Sequence, residues 1–174
     1  PGRASTARSI VLVAFAAFAS IASLRACDAL LPELAREFGT TTGMAARAVT
    51  VYAITYGLVQ VFYGPLGDRY GKYRVVTGAT LACALGSFGA AWSGSLGSLL
   101  FWRAVTAAGG AAIVPLSIAW IGDTVPYERR QTTLAHFITG TITGTAAGPF
   151  ISGLCADRVG WRWTFGILTG LFLA

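Results

Sequence analysis

Long stretches without a charged residue alternate with short polar segments along the chain. An uncharged run covers 48–67, a polar stretch holding Asp68, Arg69, Lys72 and Arg74 follows, and a second uncharged run covers 75–102. Each run can supply a helix that crosses a hydrocarbon core of about 30 Å. Extended over the chain, the pattern places hydrophobic segments at residues 9–31, 45–66, 75–92, 99–121, 132–154 and 163–174. All six predict helices, because a backbone in lipid must satisfy its own hydrogen bonds and the alternation of a membrane barrel is missing. The expected fold is therefore an all-α membrane protein, a bundle of six transmembrane helices.

The first segment follows Arg3 and Arg8, as a signal peptide would. No small-residue cleavage site precedes Arg25 and five further spans follow, so it reads as a retained span. From Thr164 the last segment supplies only roughly 16 Å of helix at about 1.5 Å per residue, too little to cross a bilayer. The chain starts on Pro1, so part of a longer protein is expected, with its last helix truncated and a C-terminal half missing.

Composition supports lipid as the solvent. The 174 residues are 55% hydrophobic and 11% charged, where about 25% charge is usual in a soluble domain. The net charge of +6 does not point to nucleic acid, because the basic residues sit in short connections, as lipid headgroups and insertion topology favour. With the N-terminus on the cytoplasmic side of the cell membrane, Arg3, Arg8, Arg69, Lys72, Arg74, Arg129 and Arg130 fall inside. Arg36, Arg47, Arg158 and Arg162 fall outside with Glu33 and Glu37, so the basic bias favours this orientation. Cys27, Cys83 and Cys155 lie in or beside apolar segments without Cys-x-x-Cys spacing and read as small buried residues. No cofactor is implied, His136 has no second ligand at metal-like spacing, and no phosphate-binding loop is present.

Ionisable groups at membrane depth carry the sharpest chemistry. Arg25 and Asp28 lie three residues apart near the outer end of the first span, and Arg103 begins the fourth span from the same side. All three fit one depth, either as a proton-coupling group centred on Asp28 or as a static ion pair tying helices one and four. Tyr52, Tyr56 and Gln60 repeat every four residues on one face of the second span and suit a substrate cavity or packing equally. His136 reads as a packed or pore-facing residue or a proton relay. Gly140, Gly144 and Gly148, continued by Pro149 and Gly153, form a small-residue stripe on the fifth span that admits another helix at close range. Trp92, Trp102, Trp161 and Trp163 read as interfacial anchors. Asp68-Arg69-Tyr70-Gly71 is echoed by Asp157-Arg158-Val159-Gly160 three spans later, the pattern of a three-plus-three inverted repeat.

Taken as a turn, Gly64-Pro65-Leu66-Gly67-Asp68-Arg69-Tyr70-Gly71-Lys72-Tyr73-Arg74 needs its glycines to reverse the chain and its charges to set topology. The string also resembles the loop signature between the second and third helices of the major facilitator superfamily. Gly64, Leu66, Asp68, Arg69, Gly71 and Lys72 match, while Gly67 and Tyr73 depart. Asp123 to Arg130 is similar to that family's loop after the fourth helix, and Gly160 to Phe165 to the start of its sixth. Arg103 to Thr106, with Ala107, Gly109, Gly110 and Ala111, resembles the fourth-helix signature whose arginine is implicated in proton coupling. Gly144, Gly148-Pro149 and Ser152-Gly153 resemble the fifth-helix signature of proton-coupled antiporters.

The resemblance implies half of a transporter fold. Gly64, Asp68, Arg69, Gly71, Lys72, Arg74, Asp123 and Arg130 would form a gate with Asp68 at its centre. Asp28, Arg103 and Arg25 would couple protons, and Tyr52, Tyr56 and Gln60 would meet substrate. The expected activity is export of small amphipathic compounds in exchange for protons. Rivals are a proton-coupled symporter for a sugar, organic acid or other small solute, an integral-membrane enzyme using His136, and a non-transporting membrane sensor.

Overall fold

The computed structural model describes residues 3–174, with side chains from Arg8 onward; the Arg3 side chain, Pro1 and Gly2 lie outside the described residues. Eight helices follow one another: α1 (Arg3–Arg25), α2 (Leu31–Glu37), α3 (Thr42–Ala45), α4 (Arg47–Tyr70), α5 (Lys72–Ala91), α6 (Leu96–Thr124), α7 (Tyr127–Arg158) and α8 (Arg162–Leu173). No strand occurs among the described residues. Six of the helices are the expected spans, and α2 and α3 occupy the connection between the first two.

The structure corrects two boundaries. The first helix stops at Arg25 rather than Leu31, so Asp28 lies in a turn over 26–30 and not on the helix. Pro32 lies in the first turn of α2, where its missing N–H is tolerated and the new helix can start. The second helix runs through Gly64 and Pro65 to Tyr70, so 64–74 is not a loop. The reversal takes one residue, Gly71, with φ 90° and ψ 123°, and α5 begins at Lys72. Pro65 removes a single ladder bond and does not end the helix.

The other ends have local causes. Ser95 caps α6 by accepting from the Ser98 N–H at 3.2 Å. Val125 is extended before Pro126, the conformation that a residue preceding proline favours, and this stops α6 and starts α7. Gly160, with φ 96°, separates α7 from α8. Segments 8–25, 42–70, 72–91 and 96–124 meet the length and apolarity needed to cross a bilayer. The 32-residue α7 is long enough but diluted by threonine, and α8 has 12 residues.

Helix α6 is the centre of the bundle, packed on α4, α5 and α1, while α1 also packs on α7 and α5 on α8. One pair of contacts follows an inverted repeat: exchanging the first three spans with the last three turns the α4–α6 pair into the α7–α1 pair. Small residues make these contacts close. A Cβ on Gly109 would lie 2.6 Å from the Ala79 carbonyl oxygen, and one on Gly86 would meet the Thr106 backbone nitrogen at 2.8 Å. Helices α4 and α7 instead turn Ile54, Leu58, Phe62, Ile142 and Phe150 outward.

Candidate functional site

Arg103 is fully buried where α1, α4 and α6 meet. Asp28 is not its partner: Asp28 pairs with Arg25 at 3.3 Å, and among the described residues no carboxylate lies within ion-pair distance of Arg103. The guanidinium donates instead to the Ser23 carbonyl oxygen at 2.8 Å and the Leu24 carbonyl oxygen at 3.4 Å. These belong to the last turn of α1, the negative end of the helix dipole, where the Ser23 carbonyl otherwise accepts only a turn bond from the Ala26 N–H at 3.3 Å. Its other face lies 4.1 Å from the centroid of the Tyr52 ring, a cation–π contact strengthened by the lack of water. A buried charge is thus held by a helix end and an aromatic face. Ser23 Oγ, Tyr52 Oη and Arg103 Nε are buried together at this junction.

The three residues on one face of α4 separate by depth. Tyr52 is fully buried as the platform for Arg103, Tyr56 is half-buried and stacks on it with centroids 6.3 Å apart, and Gln60 is exposed. Across from them, Ser20 Oγ donates to the Gly110 carbonyl oxygen at 3.4 Å. Tyr63, which the four-residue spacing passes over, donates to the Ala108 carbonyl oxygen at 2.7 Å and ties α4 to α6.

At the Gly71 end the charged residues form a small network whose hub is Lys72, not Asp68. Lys72 Nζ reaches Asp123 Oδ2 at 2.5 Å and Asp68 Oδ1 at 3.9 Å, joining the α4–α5 turn to the end of α6. The reason is geometric: Asp68 sits on the last helical turn of α4 with its side chain largely in solvent, whereas Lys72 opens α5 between the two carboxylates. Arg69 lies over the Tyr70 ring at 5.3 Å, and Arg130 over the Tyr127 ring at 5.9 Å. Gly64 faces open space, and Arg74 is exposed.

The glycine stripe on α7 meets α1 backbone to backbone. A Cβ on Gly144 would stand 2.6 Å from the Phe18 carbonyl oxygen, and one on Gly148 would overlap the Ala22 carbonyl group. Gly140 and Gly153 are looser, with their nearest α1-side atoms, Ala14 O and Ala29 Cβ, 3.9 Å from such a Cβ. Pro149 continues the same helix within α7. His136 lines an apolar cleft of about 510 Å³ between α1 and α7, with Phe15, Phe18 and Thr133 among its walls.

The opposite end of the bundle holds a cluster that spacing alone did not single out. Arg162 Nη1 reaches Glu37 Oε1 at 2.8 Å, Nη2 donates to the Ser93 carbonyl oxygen at 3.3 Å, and the guanidinium lies 4.5 Å from the Trp161 ring centroid. Trp161 is not an exposed anchor: it is 2% exposed, edge-on to Phe38 and Phe165. Trp92 and Trp163 do face outward.

The profile of the Major Facilitator Superfamily matches residues 13–174. Among curated proteins, the chain is 35% identical over 129 residues to the multi-drug resistance efflux pump PmrA of Streptococcus pneumoniae, covering 74% of this chain and 32% of that one. It is 28% identical over 167 residues to citrate exporter 1 of Aspergillus niger, covering 96% and 32%. With the efflux pump FUBT of Fusarium oxysporum it shares 26% over 159 residues, covering 91% and 27%. The chain thus spans about a quarter to a third of the length of these relatives. A crystal structure of the peptide transporter POT in complex with sulfate superposes with a TM-score of 0.83 at 19% identity, covering 95% of this chain and 36% of that one. At that identity the likeness is one of fold.

Proposed function

Because this chain belongs to the Major Facilitator Superfamily, we propose that it is the N-terminal six-helix half of a secondary transporter that exports small amphipathic compounds in exchange for protons. The observation that carries export is that relatives matched over 74–96% of the chain are efflux pumps and a citrate exporter. Substrate would bind near the midplane against a C-terminal half, and the two halves would rock around it. The cell membrane is the proposed location, with the N-terminus cytoplasmic on the basic-residue bias.

In this reading Tyr56 and Gln60 meet substrate on the outer side of α4, and Tyr52 stands behind them as the platform for Arg103. Asp28 is the proton carrier. Its carboxylate holds Arg25 in the turn that closes α1, next to the carbonyls of Ser23 and Leu24 that hold Arg103. Protonating Asp28 releases Arg25 and loosens that turn, so the grip on Arg103 changes, and with it the junction of α1, α4 and α6. The Lys72 network and its neighbours Gly64, Arg69, Gly71, Arg74 and Arg130 form the cytoplasmic gate.

Inverted vesicles with an acidified lumen test both the direction and the coupling. Adding an exported compound should release protons from the lumen, whereas a symporter gives the opposite sign. Asp28→Asn in the intact protein should abolish the substrate-dependent proton flux, and proton-driven transport that survives it removes Asp28 from the mechanism.

A further inference from the structure

The sequence echo has a structural counterpart. In Asp68-Arg69-Tyr70-Gly71 and in Asp157-Arg158-Val159-Gly160 the final glycine takes a left-handed φ, 90° and 96°, and separates the second from the third span and the fifth from the sixth. The helix pairs α4–α6 and α7–α1 are exchanged by the same operation. Lys72, one residue after the first glycine, bridges to Asp123 at the end of the fourth span. The repeat therefore directs attention to the chain just after Gly160, at the opposite end of the bundle. There Arg162, two residues after Gly160, pairs at 2.8 Å with Glu37, which ends α2 twelve residues beyond α1.

We infer that Glu37 and Arg162 are a positioning pair that does at this end of the bundle what the Lys72–Asp123 bridge does at the other. They tie the connections after α1, between α5 and α6, and before α8 into one body. Three contacts of the same guanidinium make the tie: the Glu37 carboxylate, the Ser93 carbonyl oxygen and the Trp161 ring. Trp161, buried edge-on to Phe38 directly after α2, fixes the approach, so the half-exposed ion pair does not have to order two long side chains by itself. As a device for rocking motion the inference rests on the transport reading. A six-helix half that turns as a unit needs its helices tied at both ends, and the Lys72 bridge ties only one.

The test uses the intact protein in vesicles. Glu37→Cys with Arg162→Cys should transport slowly, and a short bismaleimide joining the two should restore transport; Cys27, Cys83 and Cys155 are buried away from the reagent. A cross-link that blocks transport means that the pair opens during the cycle, and a double variant as fast as the unmodified protein, or one that the cross-link does not speed up, means that the pair positions nothing; each overturns the proposal. Hydrogen exchange decides the tie without any transport. Arg162→Gln should speed amide exchange over Leu31–Glu37 about threefold, and the swap of Glu37→Arg with Arg162→Glu should recover protection. Unchanged exchange in Arg162→Gln, or no recovery in the swap, overturns the tie. A protein that moves no substrate but shows the exchange result retains the tie and loses the transport reading.

Discussion

Arg103 illustrates how one side chain can join three helices without meeting an acid. Its planar fork spans the carbonyls of Ser23 and Leu24 while one face rests on Tyr52, which an ammonium of equal charge cannot do. Arg103→Lys is expected to cost about 2 kcal/mol, read as a fall in the Tm of the solubilised protein; an unchanged Tm would show the fork to be dispensable. Glycines divide just as sharply. Gly148→Ala sets a methyl into the Ala22 backbone and should cost about 1–3 kcal/mol, while Gly64→Ala, with open space around it, should stay within about 0.5 kcal/mol. Comparative thermal unfolding checks both. A charge inside an apolar run made Arg103 conspicuous in the sequence. Its partners were not legible, because backbone carbonyls leave no residue-type signal and the apolar pattern runs on past Arg25, where the helix ends.

Among the elements, the six segments were legible, with ends off by up to six residues, because an apolar run bounded by charges has few other readings in lipid. What the pattern did not resolve is how little chain a reversal needs. Gly64 and Pro65 looked like the breakers, yet α4 runs through both and turns at Gly71 alone. A proline in a helix loses one hydrogen bond, whereas a φ of 90° is open to glycine and strained for any other residue. Gly71→Ala is therefore expected to destabilise by about 1–2 kcal/mol, more than Gly64→Ala despite the shared signature; equal effects in an unfolding assay would contradict this. Helices α2 and α3 were missed for another reason. Residues 31–46 are too short and too polar for a span, and their order comes from packing, as Phe38 against Trp161 shows.

For the whole molecule, an ion-pair tie stands at each end, Lys72–Asp123 and Glu37–Arg162, and each half of the sequence contributes to both. The two ties stand at opposite ends of α5, whose 20 residues make about 30 Å of helix, too far apart to share partners. Lys72→Gln and Glu37→Gln should then shift Tm by amounts that add in the double variant, and a double variant equal to the worse single one would show the ends to be coupled. The glycine seam between α1 and α7 also has a consequence in time. Gly148 follows Ala22 by 126 residues, so at about 5–20 residues per second α7 is made about 6–25 s after the groove it must fill. During synthesis α1 first meets α4, α5 and α6, and Arg103 can seize its last carbonyls before any glycine of α7 exists. Helix α1 is thus enclosed only once α7 is made, and the site around Arg103 is assembled before the wall that seals it.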